Sequence, residues 1–131
     1  MNQRGFATLE IILAIVILSI IATIAVPRFT DTKTRANTAK IQADLSTIDT
    51  ALQIYYLEKG NWTGISDVNS LVTANYLMDE PKPPTGSAFL NGTSTEINAT
   101  AYTIDNDHRA ALKVGEATKH AGDFSMTTTS Q

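Results

Sequence analysis

The sequence predicts an α+β fold: one long N-terminal α-helix, membrane-spanning in its first half, packed by its second half against a small C-terminal antiparallel β-sheet head. Three observations carry this. Residues 6–26 form an almost unbroken hydrocarbon run. Ile41, Leu45, Ile48, Leu52 and Tyr55 then recur at spacings of four, three, four and three, the stripe of an amphipathic helix. The last third is rich in Thr, Ser, Ala and Asn and is punctuated by turn residues, which suits short strands.

The apolar run comes first. About 20 such residues cross a bilayer core of roughly 30 Å as a helix. The leader before it is short and carries one positive charge, Arg4. A cleavable secretory signal has a shorter apolar core, about 7–15 residues, followed by a small-x-small cleavage site. Here the run is longer, and Ala22, Thr23, Ile24 and Ala25 have the wrong spacing, so the segment is expected to stay in the working protein. Arg4 favours a cytoplasmic N-terminus with the rest of the chain outside, although Arg28 follows closely on the other flank. A plain anchor explains the length but not Glu10, a carboxylate inside hydrocarbon with no Lys or Arg in the run to pair with it. Pro27 leaves the Thr23 carbonyl without its i+4 partner and crowds it. Because the helical pattern resumes beyond, a kink near residues 23–27 is expected.

The heptapeptide R-G-F-A-T-L-E at residues 4–10, with an apolar stretch ending A-V-P-R-F at residue 29, resembles the prepilin N-terminal motif of type IV pilins and type II secretion pseudopilins. The one departure is Ala7, Thr8 and Leu9, where Thr-Leu-(Ile or Leu) is commoner. The resemblance implies that a membrane peptidase cuts between Gly5 and Phe6, that the new N-terminal Phe6 is N-methylated, and that Glu10 becomes the fifth residue of the mature chain. Pro27 matches the helix-interrupting proline of the family. It also implies a pilin-like division: residues 1–5 a leader, 6–29 a transmembrane and polymerisation helix, 30–131 the head with the second half of the long helix. The implied partners are membrane lipid before assembly, a prepilin peptidase and methyltransferase, inner-membrane assembly machinery, and further copies of the chain in a homo-oligomeric filament. The precursor would span the inner membrane once, and the filament would be a cell-surface pilus or a periplasmic pseudopilus.

Physical chemistry supports that reading. Cleavage exposes an α-amino group on Phe6, normally titrating near pH 8 and so mostly cationic at neutral pH. Within one chain Glu10 is expected in the first helical turn, facing the positive end of the helix dipole. From a neighbouring subunit it would neutralise the Phe6 ammonium, and two charges costly in hydrocarbon would satisfy one another.

The remaining elements follow in order. Gly60, after Glu58 and Lys59, reads as the stop of the long helix, which at 1.5 Å per residue would measure roughly 80 Å from residue 6. Trp62 reads as a core plug under the loop that follows. Ser66 is placed to cap a short helix running through Asp67, Val68, Leu71 and Leu77. Pro81, Pro83 and Pro84 then interrupt regular structure. Strand-type stretches lie at about 87–90, 97–104, 109–114 and 123–129, with Asn91 and Gly92, and Asp105 to Asp107, as turns.

Function classes narrow quickly. The net charge of −3 and the lack of a basic aromatic stripe point to no specific nucleic-acid partner. With no cysteine there is no disulfide, thiolate metal site or cysteine nucleophile. His108 and His120 have no metal-ligand spacing and read as surface residues. Asp105, Asp107 and Asp123, with Glu116, are weak candidates for calcium, but the EF-hand spacing is absent, and solvated turn acids are the better reading. No catalytic triad, phosphate loop or paired-carboxylate cleft emerges, so neither an enzyme nor a cofactor is expected. The leading function is a structural subunit of a type IV pilus-like filament. The alternative is the major pseudopilin of a type II secretion system, and a remoter one a membrane-tethered binding or enzymatic domain.

Overall fold

The computed structural model describes residues 3–127, and the side chains of all of these except residues 25–29. Helix α1 covers Gln3–Lys59 and is helical through Pro27. It begins inside the expected leader rather than at Phe6. It ends where the glycine signal places it: Gly60 takes φ 71° and its N–H bonds the Tyr56 carbonyl at 2.8 Å, a left-handed terminator. The chain divides into two compact units, Met1–Lys33 and Thr34–Gln131.

In the second unit the stripe is the core. Ile41, Leu45, Ile48, Leu52 and Tyr55 are buried, and Val68, Leu71, Ile97, Tyr102, Leu112 and Phe124 close over them. Strand β1, Gly86–Leu90, pairs antiparallel with β2, Thr93–Ile97. Asn91 and Gly92 turn the chain between them at φ 48° and 80°, the left-handed pair that a two-residue hairpin needs. Ser87 and Phe89 direct their backbone groups away from β2, and α1 supplies the partners. Asn37 Nδ2 donates to the carbonyls of Ser87 at 2.9 Å and Thr85 at 3.2 Å, and the Phe89 N–H donates to Thr38 Oγ1 at 2.7 Å. Two buried polar side chains of the helix thus satisfy a strand edge.

The second sheet has the order β3, Thr103–Ile104, then β4, Ala110–Val114, then β5, Ala117–Lys119, all antiparallel. The head therefore holds two small sheets rather than one. The stretch expected at 97–104 is broken, because Ile97 ends β2 and the chain reforms a ladder only at Thr103. No strand occupies 123–127, and residues 128–129 of that expected stretch lie outside the described residues. Instead, a 3₁₀ turn at Ala121–Asp123 delivers Phe124 into the core, and the Asn91 and Gly92 amides bond the carbonyls of Asp123 and Ser125, each at 2.9 Å.

Helix α2, Val68–Thr73, is capped by Asp67 and not by Ser66. The Asp67 carboxylate accepts from the Ser70 N–H at 2.8 Å and the Ser70 hydroxyl at 2.7 Å. Ser66 lies one residue too early, and its hydroxyl meets Ser70 Oγ instead. Trp62 is half-buried and packs against the core, with its ring stacked between Tyr56 and His108 at centroid distances of 4.8 and 4.5 Å.

Both histidines depart from the surface role expected of them. His108 stacks on Trp62 with a left-handed backbone, φ 57°. His120 places Nδ1 2.9 Å from the Ala110 carbonyl and Nε2 3.2 Å from Asp105 Oδ2. Its backbone N–H donates to Asp123 Oδ2 at 2.9 Å, and the imidazole ties this last turn to β4 and to the turn at Asp105.

Candidate functional site

Residues 3–24 of α1 are exposed along their whole length in the single chain. Gln3–Ile24 has mean hydropathy 2.6 and is long and apolar enough to cross a membrane. Its hydroxyls are closed onto the helix. Thr8 Oγ1 donates to the Arg4 carbonyl at 2.8 Å, Ser19 Oγ to Ile15 at 2.8 Å and Thr23 Oγ1 to Ile20 at 2.7 Å. Back-bonding of this kind lets a hydroxyl enter hydrocarbon without an unmet donor.

Gly5, Phe6 and Glu10 all lie on this helix, and Phe6 is 62% exposed. A Cβ added at Gly5 would meet nothing within 4 Å, and Gly5 is not among the left-handed glycines. Neither packing nor backbone conformation within the chain requires glycine there. Glu10 is exposed, and among the described residues its carboxylate has no ion-pair or hydrogen-bond partner. In the uncut chain the first turn of α1 contains no acidic residue; the dipole contribution of Glu10 is expected of a chain that begins at Phe6.

The weaker candidates separate. Asp105 Oδ1 accepts from the amides of Asp107 at 3.0 Å and Arg109 at 2.9 Å, while Oδ2 faces His120. Asp123 accepts from the His120 amide, and the Asp107 and Glu116 side chains stand exposed. Among the described residues no group of three His, Cys, Asp or Glu is arranged to hold a metal ion. Residue patterns gave no signal for the His120 tie or for the Asn37 and Thr38 contacts, whose partners lie far along the chain.

A long helix whose apolar first half is exposed over residues 3–24, continued into an α+β head, defines the pilin-like class. Core protein G of the type II secretion system of Klebsiella pneumoniae is 32% identical over 102 residues, 67% of this chain and 73% of that protein. The corresponding protein of Pectobacterium carotovorum is 29% identical over 106 residues, 80% of this chain and 68% of its own length. The type IV narrow pilus major component of Thermus thermophilus is 32% identical over 104 residues, 79% of this chain and 86% of that protein. No family model and no solved structure matches. The chain belongs to the type IV pilin and type II secretion pseudopilin family, and is a structural subunit rather than an enzyme.

Proposed function

We propose that the chain is the filament-forming subunit of a type II secretion apparatus, made as an inner-membrane precursor, cut between Gly5 and Phe6 by a prepilin peptidase, and polymerised through residues 6–29. The observation that carries the choice is the set of relatives: seven of the eight found are named core protein G of a type II secretion system. The sequence alone leans to a surface pilus, and the relatives reverse that order. Deleting the chain should abolish export of the secreted enzymes of its host and leave no change in sheared surface fibres. The opposite pair of results would favour the pilus. That second reading draws on the Thermus pilus component, of which this chain spans 86%.

Assembly follows from the exposed run. Helix-to-helix contact in the filament replaces lipid, so the hydrophobic gain is small and association rests on van der Waals fit and on polar pairing. After cleavage, the Phe6 ammonium of one subunit meets Glu10 of its neighbour, which sets the axial register. Pro27 weakens the helix where it can loosen and extend on assembly. Mass spectrometry of the native N-terminus should find a methylated Phe6, and Glu10→Leu should cut incorporation into filaments at least about tenfold, for the loss of a buried pair. A native chain starting at Met1, or normal assembly of Glu10→Leu, defeats the respective part.

A further inference from the structure

We propose that Thr8 is a switchable helix cap that lets the first turn of α1 open and present the bond between Gly5 and Phe6 to the membrane peptidase. This rests on the processing reading above. Hydrolysis adds the hydroxyl of a water molecule to the Gly5 carbonyl carbon, breaks the C–N bond and leaves the proton on the Phe6 nitrogen. Because α1 begins at Gln3, that carbonyl lies inside the helix, where the ladder directs it to the Leu9 N–H. Flanked by the next turn, it does not offer the aligned approach that a nucleophile needs. The turn has to open first.

Three residues are suited to that opening. Gly5 is a poor helix former that nothing in the fold demands, so its place in the ladder is easily given up. In the closed helix the Thr8 hydroxyl donates to the Arg4 carbonyl at 2.8 Å. Once residues 3–7 are extended, Thr8 becomes the N-cap of the shortened helix. Its Oγ1 then accepts from the N–H of Glu10 or Ile11, at the second or third helical position. Glu10 enters the first turn, where its carboxylate faces the positive end of the dipole, an interaction absent from the closed helix. The same hydroxyl serves both states, donating to the Arg4 carbonyl in the closed helix and accepting from the new first turn in the open one. Thr8 is a positioning residue for the cut.

The test uses the full-length precursor in bilayers with its prepilin peptidase. Thr8→Val keeps the shape and loses the cap, and should lower the initial processing rate about fivefold, the ratio a capping hydroxyl carries. Thr8→Asn and Thr8→Ser can cap and should process at or above the native rate. Amide exchange of residues 6–9 in the precursor alone should slow in Thr8→Val and recover in Thr8→Asn, which altered recognition by the peptidase would not produce. Native-rate processing of Thr8→Val, or Thr8→Asn as slow as Thr8→Val, overturns the switch while leaving the cut itself standing. A native chain that retains Met1 removes the processing reading, and the switch with it, before any variant is compared.

Discussion

Leu13 and Leu45 are the same residue on the same helix, yet Leu13 is 58% exposed and Leu45 is wholly buried. Over residues 3–24 the apolar side chains surround the helix on every side, and all of them are exposed. In the second compact unit one stripe is buried where the chain folds back over it, and Ile54, Tyr56 and Leu57 are left exposed off that stripe. An all-round apolar helix is stable only in lipid or among other helices, whereas a striped one completes its own core. Helical propensity does not distinguish the halves. What differs is whether the covering surface is encoded in the same chain.

The sharpest test substitutes one residue type in both halves. Leu45→Ala should lower unfolding free energy by about 2–5 kcal/mol through lost burial and a residual cavity, while Leu13→Ala should change it by less than about 0.5 kcal/mol. The measurement is denaturant unfolding of the full-length protein in detergent, followed by fluorescence of Trp62, the single tryptophan. Equal losses would mean that the halves are not energetically separate.

Polar side chains extend the contrast. Asn37→Ala leaves the Thr85 and Ser87 carbonyls without their helix donor and should cost about 1–3 kcal/mol. Ser19→Ala removes only a bond that the helix makes to itself, and should stay within about 0.5 kcal/mol in the same experiment.

At the cap of α2, Asp67→Ala should cost about 1 kcal/mol. The Ser70 hydroxyl, and then the Ser70 N–H, hold the Asp67 carboxyl below its ordinary 3.8. A carboxyl lowered by folding stabilises above its unfolded value, and that contribution is lost as pH falls through the folded one. Acid titration should therefore show a loss below about pH 3.8 that Asp67→Ala no longer shows. Smallest at neutral pH is Tyr102. Its burial, and then its hydrogen bond to Asp44 at 2.8 Å, push the phenol above its ordinary 10.0. The folded state then holds a proton that the unfolded chain releases, so the contribution is intact below pH 10 and declines as pH rises above it. Unfolding midpoints at pH 9 and 11 should converge in Tyr102→Phe relative to the native chain.

Much of this was legible beforehand because it is local. The stripe from Ile41 to Tyr55 is a period within one helix, Gly60 terminates it by its own backbone, and Asn91 with Gly92 specifies a hairpin across two residues. Gly5, Phe6 and Glu10 form a motif that is local in the sequence, and among the described residues the Glu10 carboxylate has no partner in its own chain. The cap of α2 was misplaced by one residue because Ser66 and Asp67 are adjacent residues of equal capping propensity, and only backbone direction separates them. Strand β5 escaped notice because Ala117 to Lys119 has no alternation and is held by pairing to β4. His120, between Lys119 and Ala121, belongs to no pattern at all.

What the sequence determined by itself is therefore the division of α1, an apolar run that must be covered from outside and a stripe that must be covered from within, since both follow from hydropathy along a single helix. Only the tertiary structure decided that Asn37 and Thr38 would close the edge of β1, and that His120 would bind Asp105 and Ala110. Those bonds join residues ten to fifty-one positions apart, and which distant donor meets which acceptor is settled by how the head packs. For Glu10 neither level supplies a partner among the described residues, and the one proposed above is the Phe6 ammonium of a neighbouring subunit.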